Sequence, residues 1–246
     1  AVRILWAGVE EALKIHTLSQ PLVRMGDPGL TEGMVDWVVG HVMRLHLGMD
    51  VHLFGQDGEW RKKAPPLARE QKITIMGLGE LGQACAKALA GLNFQVSGWS
   101  RTLKDGPKVI SLAGNDGFKT ALADADYIIS LLPLTDATRG IFDAQAFAKM
   151  KPGARFLNPG RGGQVVDADL IAALESGQLD QATLDVFNEE PLPRSNPYWD
   201  HPKVTVTPHI ASVTRASSAA HAIATNIRRC EDGMPMIGLV DRSLGY

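Results

Sequence analysis

From Ile73 onward the chain alternates short apolar, often β-branched runs with stretches at helical spacing, and that alternation limits the fold more than any other feature. The runs are Lys72–Met76, Phe94–Gly98, Tyr127–Leu132, Ala154–Asn158, Ala182–Val186 and Lys203–Thr207. Helices are expected at Glu80–Ala90, Thr138–Lys149, Asp167–Ser176 and Arg215–Arg229. Repeated strand–helix–strand units build an α/β, doubly wound parallel sheet. The apolar runs are nearly continuous, as strands covered on both faces require. Gly91 and Gly177 are expected as left-handed residues closing two helices, and Asp167 as the N-cap of a third.

Between the first strand and its helix stands Gly77-Leu78-Gly79-Glu80-Leu81-Gly82, a G-x-G-x-x-G turn. The pattern alone is weak in a chain with 25 glycines. Its place between strand and helix gives it weight. Gly77 permits the tight turn, Gly79 lets a pyrophosphate reach the backbone, and Gly82 lets helix and strand pack closely. The phosphates would meet the unpaired N–H groups at the helix start. The second strand leads into Trp99-Ser100-Arg101-Thr102, where NAD-preferring proteins usually carry an acidic residue for the ribose 2′-hydroxyl. Ser100, Arg101 and Thr102 offer donors to a 2′-phosphate instead, so NADP(H) is the expected cofactor, with NAD(H) also accommodated. The plainer alternative makes Arg101 a solvated loop cation.

The charge balance, 25 Lys+Arg against 27 Asp+Glu, argues against nucleic acid or an acidic membrane as the main partner. No apolar run approaches the ~20 residues needed to span a bilayer. Cys85 and Cys230 cannot make a disulfide scaffold, which points to a reducing, cytoplasmic setting. Cys85 sits in an Ala-rich run that reads as buried helix. No metal-ligand spacing is present; His41 and His46 are too poorly aligned on a helix to share an ion.

Three further residues follow the C-terminal ends of strands: Arg161 in Asn158-Pro159-Gly160-Arg161-Gly162, Glu190 in Asp185-Val186-Phe187-Asn188-Glu189-Glu190-Pro191, and His209 in Thr207-Pro208-His209. Those ends line the ligand crevice of an open parallel sheet. Glu189 rivals Glu190 on chemistry alone, and His209 could be a packed core histidine.

This ordered motif set resembles the D-isomer-specific 2-hydroxyacid dehydrogenases. Ser100-Arg101-Thr102, Leu131-Leu132-Pro133 and the terminal Val240-Asp241-Arg242…Gly245-Tyr246 bring it nearest to the bacterial glyoxylate/hydroxypyruvate reductase branch. The resemblance implies NADPH-dependent reduction of a small 2-keto acid (glyoxylate or hydroxypyruvate) to the D-2-hydroxy acid. It makes His209 the general acid, Glu190 the carboxylate that orients it and favours the imidazolium, and Arg161 the cation for the substrate carboxylate. Asp185 is expected to orient the nicotinamide carboxamide, and Leu132 and Pro133 to border the adenosine half. Leu81, in the glycine turn, belongs to the same cofactor set. Leu5-Trp6-Ala7-Gly8-Val9-Glu10 resembles the family's substrate loop, so Gly8 and Val9 are expected at the substrate carboxylate. There Trp6 replaces a small residue, and either narrows the pocket or packs inward, and Glu10 replaces Asp.

The implied domains are a fragment of a second, flavodoxin-like substrate domain (1–27), the dinucleotide-binding domain (28–210), and a C-terminal helix returning to the former (211–246). Most of the family's smaller domain is expected to precede Ala1, so the chain as given should bind NADPH better than it turns over. Thr31–Leu47 reads as one amphipathic helix without a strong capping box. It either packs on its own domain or makes the contact of an implied homodimer. Gly55–Arg69 is an exposed linker. The alternative from another class is a nucleotide-sensing, corepressor-like binding protein on the same scaffold.

Overall fold

The computed structural model describes residues 1–6, 8–104 and 109–245; Ala7 of the substrate loop and Tyr246 of the C-terminal motif lie outside them. Strands β1 (Val2–Arg3) and β2 (Leu22–Val23) pair in parallel, with helix α1 (Glu10–Leu13) between them. Helices α2 (Pro28–Leu47) and α3 (Met49–Phe54) follow. The main body runs β3 (Lys72–Met76), α4 (Glu80–Gly91), β4 (Gln95–Ser100), β5 (Val109–Ala113), α5 (Gly114–Ala123), β6 (Tyr127–Ser130), α6 (Ala144–Lys149), β7 (Ala154–Asn158), α7 (Asp167–Glu175), β8 (Leu179–Leu184), β9 (Val204–Val206) and α8 (Ala216–Glu231).

Strands β3 to β9 form one seven-stranded, all-parallel sheet in the order β5-β4-β3-β6-β7-β8-β9. The chain turns from one half of the sheet to the other between β3 and β6, so the crevice at their C-terminal ends is the expected ligand position. Ile73, Ile75, Ile128, Ile129, Phe156 and Leu157 are fully buried, because helices cover both faces of the sheet.

Helix α2 settles one of the alternatives. Met34, Trp37, Val38, Val42 and Leu45 join the core cluster of β3 and α4, so the apolar stripe packs on its own domain. The helix has no capping box but is capped by one side chain: the Asp27 carboxylate accepts from the Gly29 N–H (2.8 Å) and lies 3.3 Å from the Leu30 N–H. The cap falls four residues before Thr31 because Pro28 and Gly29 form the first turn, a place where proline is tolerated.

Five expectations are corrected. Val109–Ala113 and Gly114–Ala123 form a strand and a helix that the periodicity did not reveal; β5 is an edge strand with a half-exposed pattern. The helix expected over Thr138–Lys149 begins only at Ala144, because Gly140 takes φ +62° and Asp143 caps a fresh start through the Ala146 N–H. Gly91 ends α4 without a left-handed backbone; Asn93, φ +70°, makes that turn. Val166, not Asp167, is the cap residue of α7, and Asp167 lies in its first turn. Strand β8 ends at Leu184, which leaves Asp185 and Val186 to the loop beyond it. Among the described residues no helix is long and apolar enough to cross a membrane.

Residues from both ends of the chain meet in a small layer. Val23 bridges Leu239, the Val240 N–H donates to the Leu22 carbonyl, and Val9, Leu22 and Val240 share a buried cluster.

Candidate active site

The glycine turn is shaped for a diphosphate. A Cβ on Gly82 would fall 1.8 Å from the Gly77 carbonyl oxygen, so only glycine lets α4 start this close to β3. Gly77 sits at φ +111° against the Leu131 backbone of the neighbouring β6 loop. Above Gly79 nothing lies within 4 Å, and no side chain caps α4, so its first N–H groups face open space. Leu81, in the first turn of α4, is half-buried in the core cluster of that helix.

Leu132 and Pro133 form the opposite wall. The Gln164 amide donates to the Leu132 carbonyl (2.6 Å) and the Thr138 hydroxyl to the Pro133 carbonyl (2.6 Å), which pins this loop beside the turn. At the end of β4, the Ser100 hydroxyl donates to the Thr102 carbonyl (2.7 Å) and is nearly buried, whereas Arg101 and Thr102 are exposed. Asp241, near the C-terminus, carries a carboxyl held below its ordinary value, first by hydrogen bonds from Ser243 and in small part by the Arg101 charge.

The structure brings His209 and Glu190 together. His209 Nδ1 lies 2.7 Å from Glu190 Oε2, and Glu190 Oε1 accepts from the Phe187 N–H at 2.9 Å. The carboxylate is held at both oxygens, which leaves His209 Nε2 as the free end of the ring. Glu190 rather than Glu189 makes this contact. His209 is half-exposed on a loop, not packed in the core, and its backbone sits at φ +55°, a disfavoured region for a residue with a side chain.

Arg161 sits on the neighbouring loop. Asn158, fully buried, shapes that loop by accepting from the Gly160 N–H and donating to the Arg161 carbonyl. A Cβ on Gly162 would lie 2.0 Å from the Phe187 carbonyl carbon, so the Arg161 and Glu190 loops run in direct contact. The guanidinium donates through Nε to Glu10 Oε1 (2.8 Å) and through Nη1 to the Gly160 carbonyl (2.7 Å). It lies flat over Gly8, where a Cβ would be 1.9 Å from Nη2. The substrate loop and Arg161 are thus joined. Val9 itself is buried, and Trp6 is 62% exposed, so the ring does not pack inward.

Asp185 lies just beyond the end of β8. It is 1% exposed, and its two oxygens accept from the Thr207 hydroxyl and from the Ile210 and Ala211 N–H groups. Its visible task is to hold the His209 loop. Sequence reasoning passed over Glu10 and Thr207 as working residues. A negative charge two positions after Gly8 was a usable signal for the first; nothing local marked the second.

Residues 40–211 match the family described as D-isomer specific 2-hydroxyacid dehydrogenase, NAD binding domain. The chain belongs to the D-isomer-specific 2-hydroxyacid dehydrogenase family. It is 42% identical over 227 residues to a glyoxylate/hydroxypyruvate reductase A of Serratia proteamaculans, a match spanning 92% of this chain and 72% of that one. A family member from Xanthobacter autotrophicus, solved with NADPH and MES, superposes with a TM-score of 0.96 at 40% identity, over all of this chain and 78% of that one. An NADPH-dependent glyoxylate/hydroxypyruvate reductase from Sinorhizobium meliloti, solved with NADP and sulfate, gives 0.95 at 37% identity, over all of this chain and 79% of that one.

Proposed function

We propose that this family member reduces short 2-keto acids, glyoxylate and hydroxypyruvate, to glycolate and D-glycerate with NADPH. The observation that carries the reading is the His209–Glu190 pair on a loop adjoining Arg161, at the C-terminal edge of the sheet that carries the glycine turn. NADPH, when bound, supplies the hydride to the carbonyl carbon. The chain's residues do the rest. His209, protonated and oriented by Glu190, gives its Nε2 proton to the carbonyl oxygen. Arg161 holds the substrate carboxylate with the N–H groups that Glu10 and Gly160 leave over, beside Gly8 and Val9. Its charge also stabilises the developing alkoxide.

The first N–H groups of α4, beyond Gly79, would take the diphosphate, with Leu81, Leu132 and Pro133 beside the adenosine half. Ser100, Arg101 and Thr102 would take the 2′-phosphate, which agrees with the NADPH and NADP held by the two relatives. Three donors already occupy the Asp185 carboxylate, so it offers the nicotinamide carboxamide one remaining acceptor position at most. The meeting of both chain ends in one small layer supports residues 1–27 and 211–246 as parts of a second domain. The unpaired thiols of Cys85 and Cys230 suit a reducing, cytoplasmic setting.

The test is steady-state NADPH oxidation with glyoxylate. His209→Ala should lower kcat by about 10²–10⁴-fold while NADPH affinity, measured by fluorescence, stays unchanged. Absence of substrate-dependent oxidation in the parent protein would remove the reductase reading and return the nucleotide-sensing one.

A further inference from the structure

Helix α2 is joined to the His209 loop by a partly buried chain of hydrogen bonds. The Trp37 indole N–H donates to Thr207 Oγ1 at 3.1 Å, and the Thr207 hydroxyl donates to Asp185 Oδ1 at 2.5 Å. The Asp185 carboxylate in turn accepts from the Ile210 and Ala211 N–H groups, both at 2.9 Å. The Asp185 backbone carbonyl accepts from the His209 N–H at 2.9 Å. The residue carrying the imidazole is therefore held in its left-handed backbone from both sides, by the main chain and by the side chain of one aspartate.

The direction of the chain follows from the groups themselves. An indole N–H can only donate, so the Thr207 oxygen must accept from it, and the single hydroxyl proton is left for Asp185. A buried carboxylate needs every donor it has. Without the indole N–H, the Thr207 oxygen loses the donor that helps fix its position, and the hydroxyl that meets Asp185 Oδ1 is held less firmly. The Trp37 ring is itself held in place, with the His41 ring 4.4 Å away.

We propose that Trp37, on helix α2, is a positioning residue for His209 and acts through Thr207 and Asp185. This rests on the reading of His209 as the proton donor. Trp37→Phe keeps the ring and removes the donor; Thr207→Val removes the hydroxyl at nearly constant volume; Thr207→Ser keeps it. Two readouts are used in the whole protein: kcat and KM for NADPH-dependent glyoxylate reduction, and the NMR signals of the His209 ring, assigned by their loss in His209→Ala.

Trp37→Phe and Thr207→Val should each lower kcat several-fold, leave the KM for NADPH within about twofold, and displace the His209 ring signals. Thr207→Ser should restore both readouts. The double variant should be no worse than Thr207→Val alone, because both changes break one chain. Unchanged His209 signals and kcat in Trp37→Phe, a Thr207→Ser protein as impaired as Thr207→Val, or fully additive losses would each overturn the proposal. Should Trp37→Phe fail to fold, the Thr207 pair decides alone. If the parent protein reduces no short 2-keto acid, the reductase reading falls, and the ring signals decide the positioning role by the same outcomes.

Discussion

At the scale of single residues, Gly8 and Arg161 show how a backbone atom can set a charge. The guanidinium lies so close over Gly8 that a methyl group there would meet Nη2 at 1.9 Å and Glu10 Oε2 at 2.6 Å. Gly8→Ala must therefore push Arg161 off its place. We expect the KM for glyoxylate to rise by about tenfold or more, the worth of one charge-assisted hydrogen bond, with NADPH affinity unaffected. An unchanged KM would show that the substrate carboxylate is held elsewhere. Ser100 makes the second prediction. A carboxylate at that position faces the 2′-phosphate with like charge, a juxtaposition that costs several kcal/mol. Ser100→Asp should thus weaken NADPH at least tenfold and leave NADH equal or improved, as titration of both cofactors would show.

At the scale of elements, helix α2 combines a core-packing face with buried titratable groups. His46 is nearly buried against the edge of Phe94, its Nδ1 has no hydrogen-bond partner, and its pKa is lowered, chiefly by burial and then by the Arg155 charge. His41 shifts the same way, chiefly by burial and then by Arg44, with Asp185 and Asp50 opposing. Well above pH 6.5 both histidines are neutral in the folded and unfolded chain alike. As pH falls below that value the unfolded chain takes up the protons first, so stability declines towards the lowered folded values. The melting temperature should fall between pH 7 and pH 5, and His46→Leu should flatten that fall. An equally steep decline in the variant would place the acid sensitivity elsewhere.

At the scale of the whole molecule, several strongly exposed large apolar side chains follow α2 in the chain. Leu53, Phe54 and Trp60 are 56%, 80% and 93% exposed, in a segment running from α3 into the exposed linker. Large apolar side chains gathered this way mark an interaction surface. Because the stripe of α2 is spent on its own core, a homodimer of the kind the resemblance implies would make its contact on this segment instead. Sedimentation should show a dimer for the parent chain and a monomer for Phe54→Ser/Trp60→Ser. A parent monomer at all concentrations tested would refute it. The buried Cys85, its thiol pushed up to about 12 by burial, should not react with a thiol reagent in the folded protein, leaving the exposed Cys230 to account for the signal.

Much of this was legible in the chain. Strand β3, the glycine turn, α4 and β7 are local patterns, because a buried parallel strand needs a continuous apolar run and the turn beside it needs glycine for steric reasons. Arg161, Glu190 and His209 could be placed because each follows a strand of one parallel sheet, and such strands end at one edge. The edge strand β5 was hidden because it has a neighbour on one side only and carries no clear period. Tertiary structure alone decided the partnerships: Glu10 with Arg161, Asp185 with the loop after β9, and Trp37 with Thr207, 170 residues away. Those pairs depend on the order of strands and the packing of an outer helix, and hydrogen bonds between distant residues leave no periodic trace in a sequence. Motifs and the family resemblance name the candidate reacting groups; only the folded chain determines which groups hold them still.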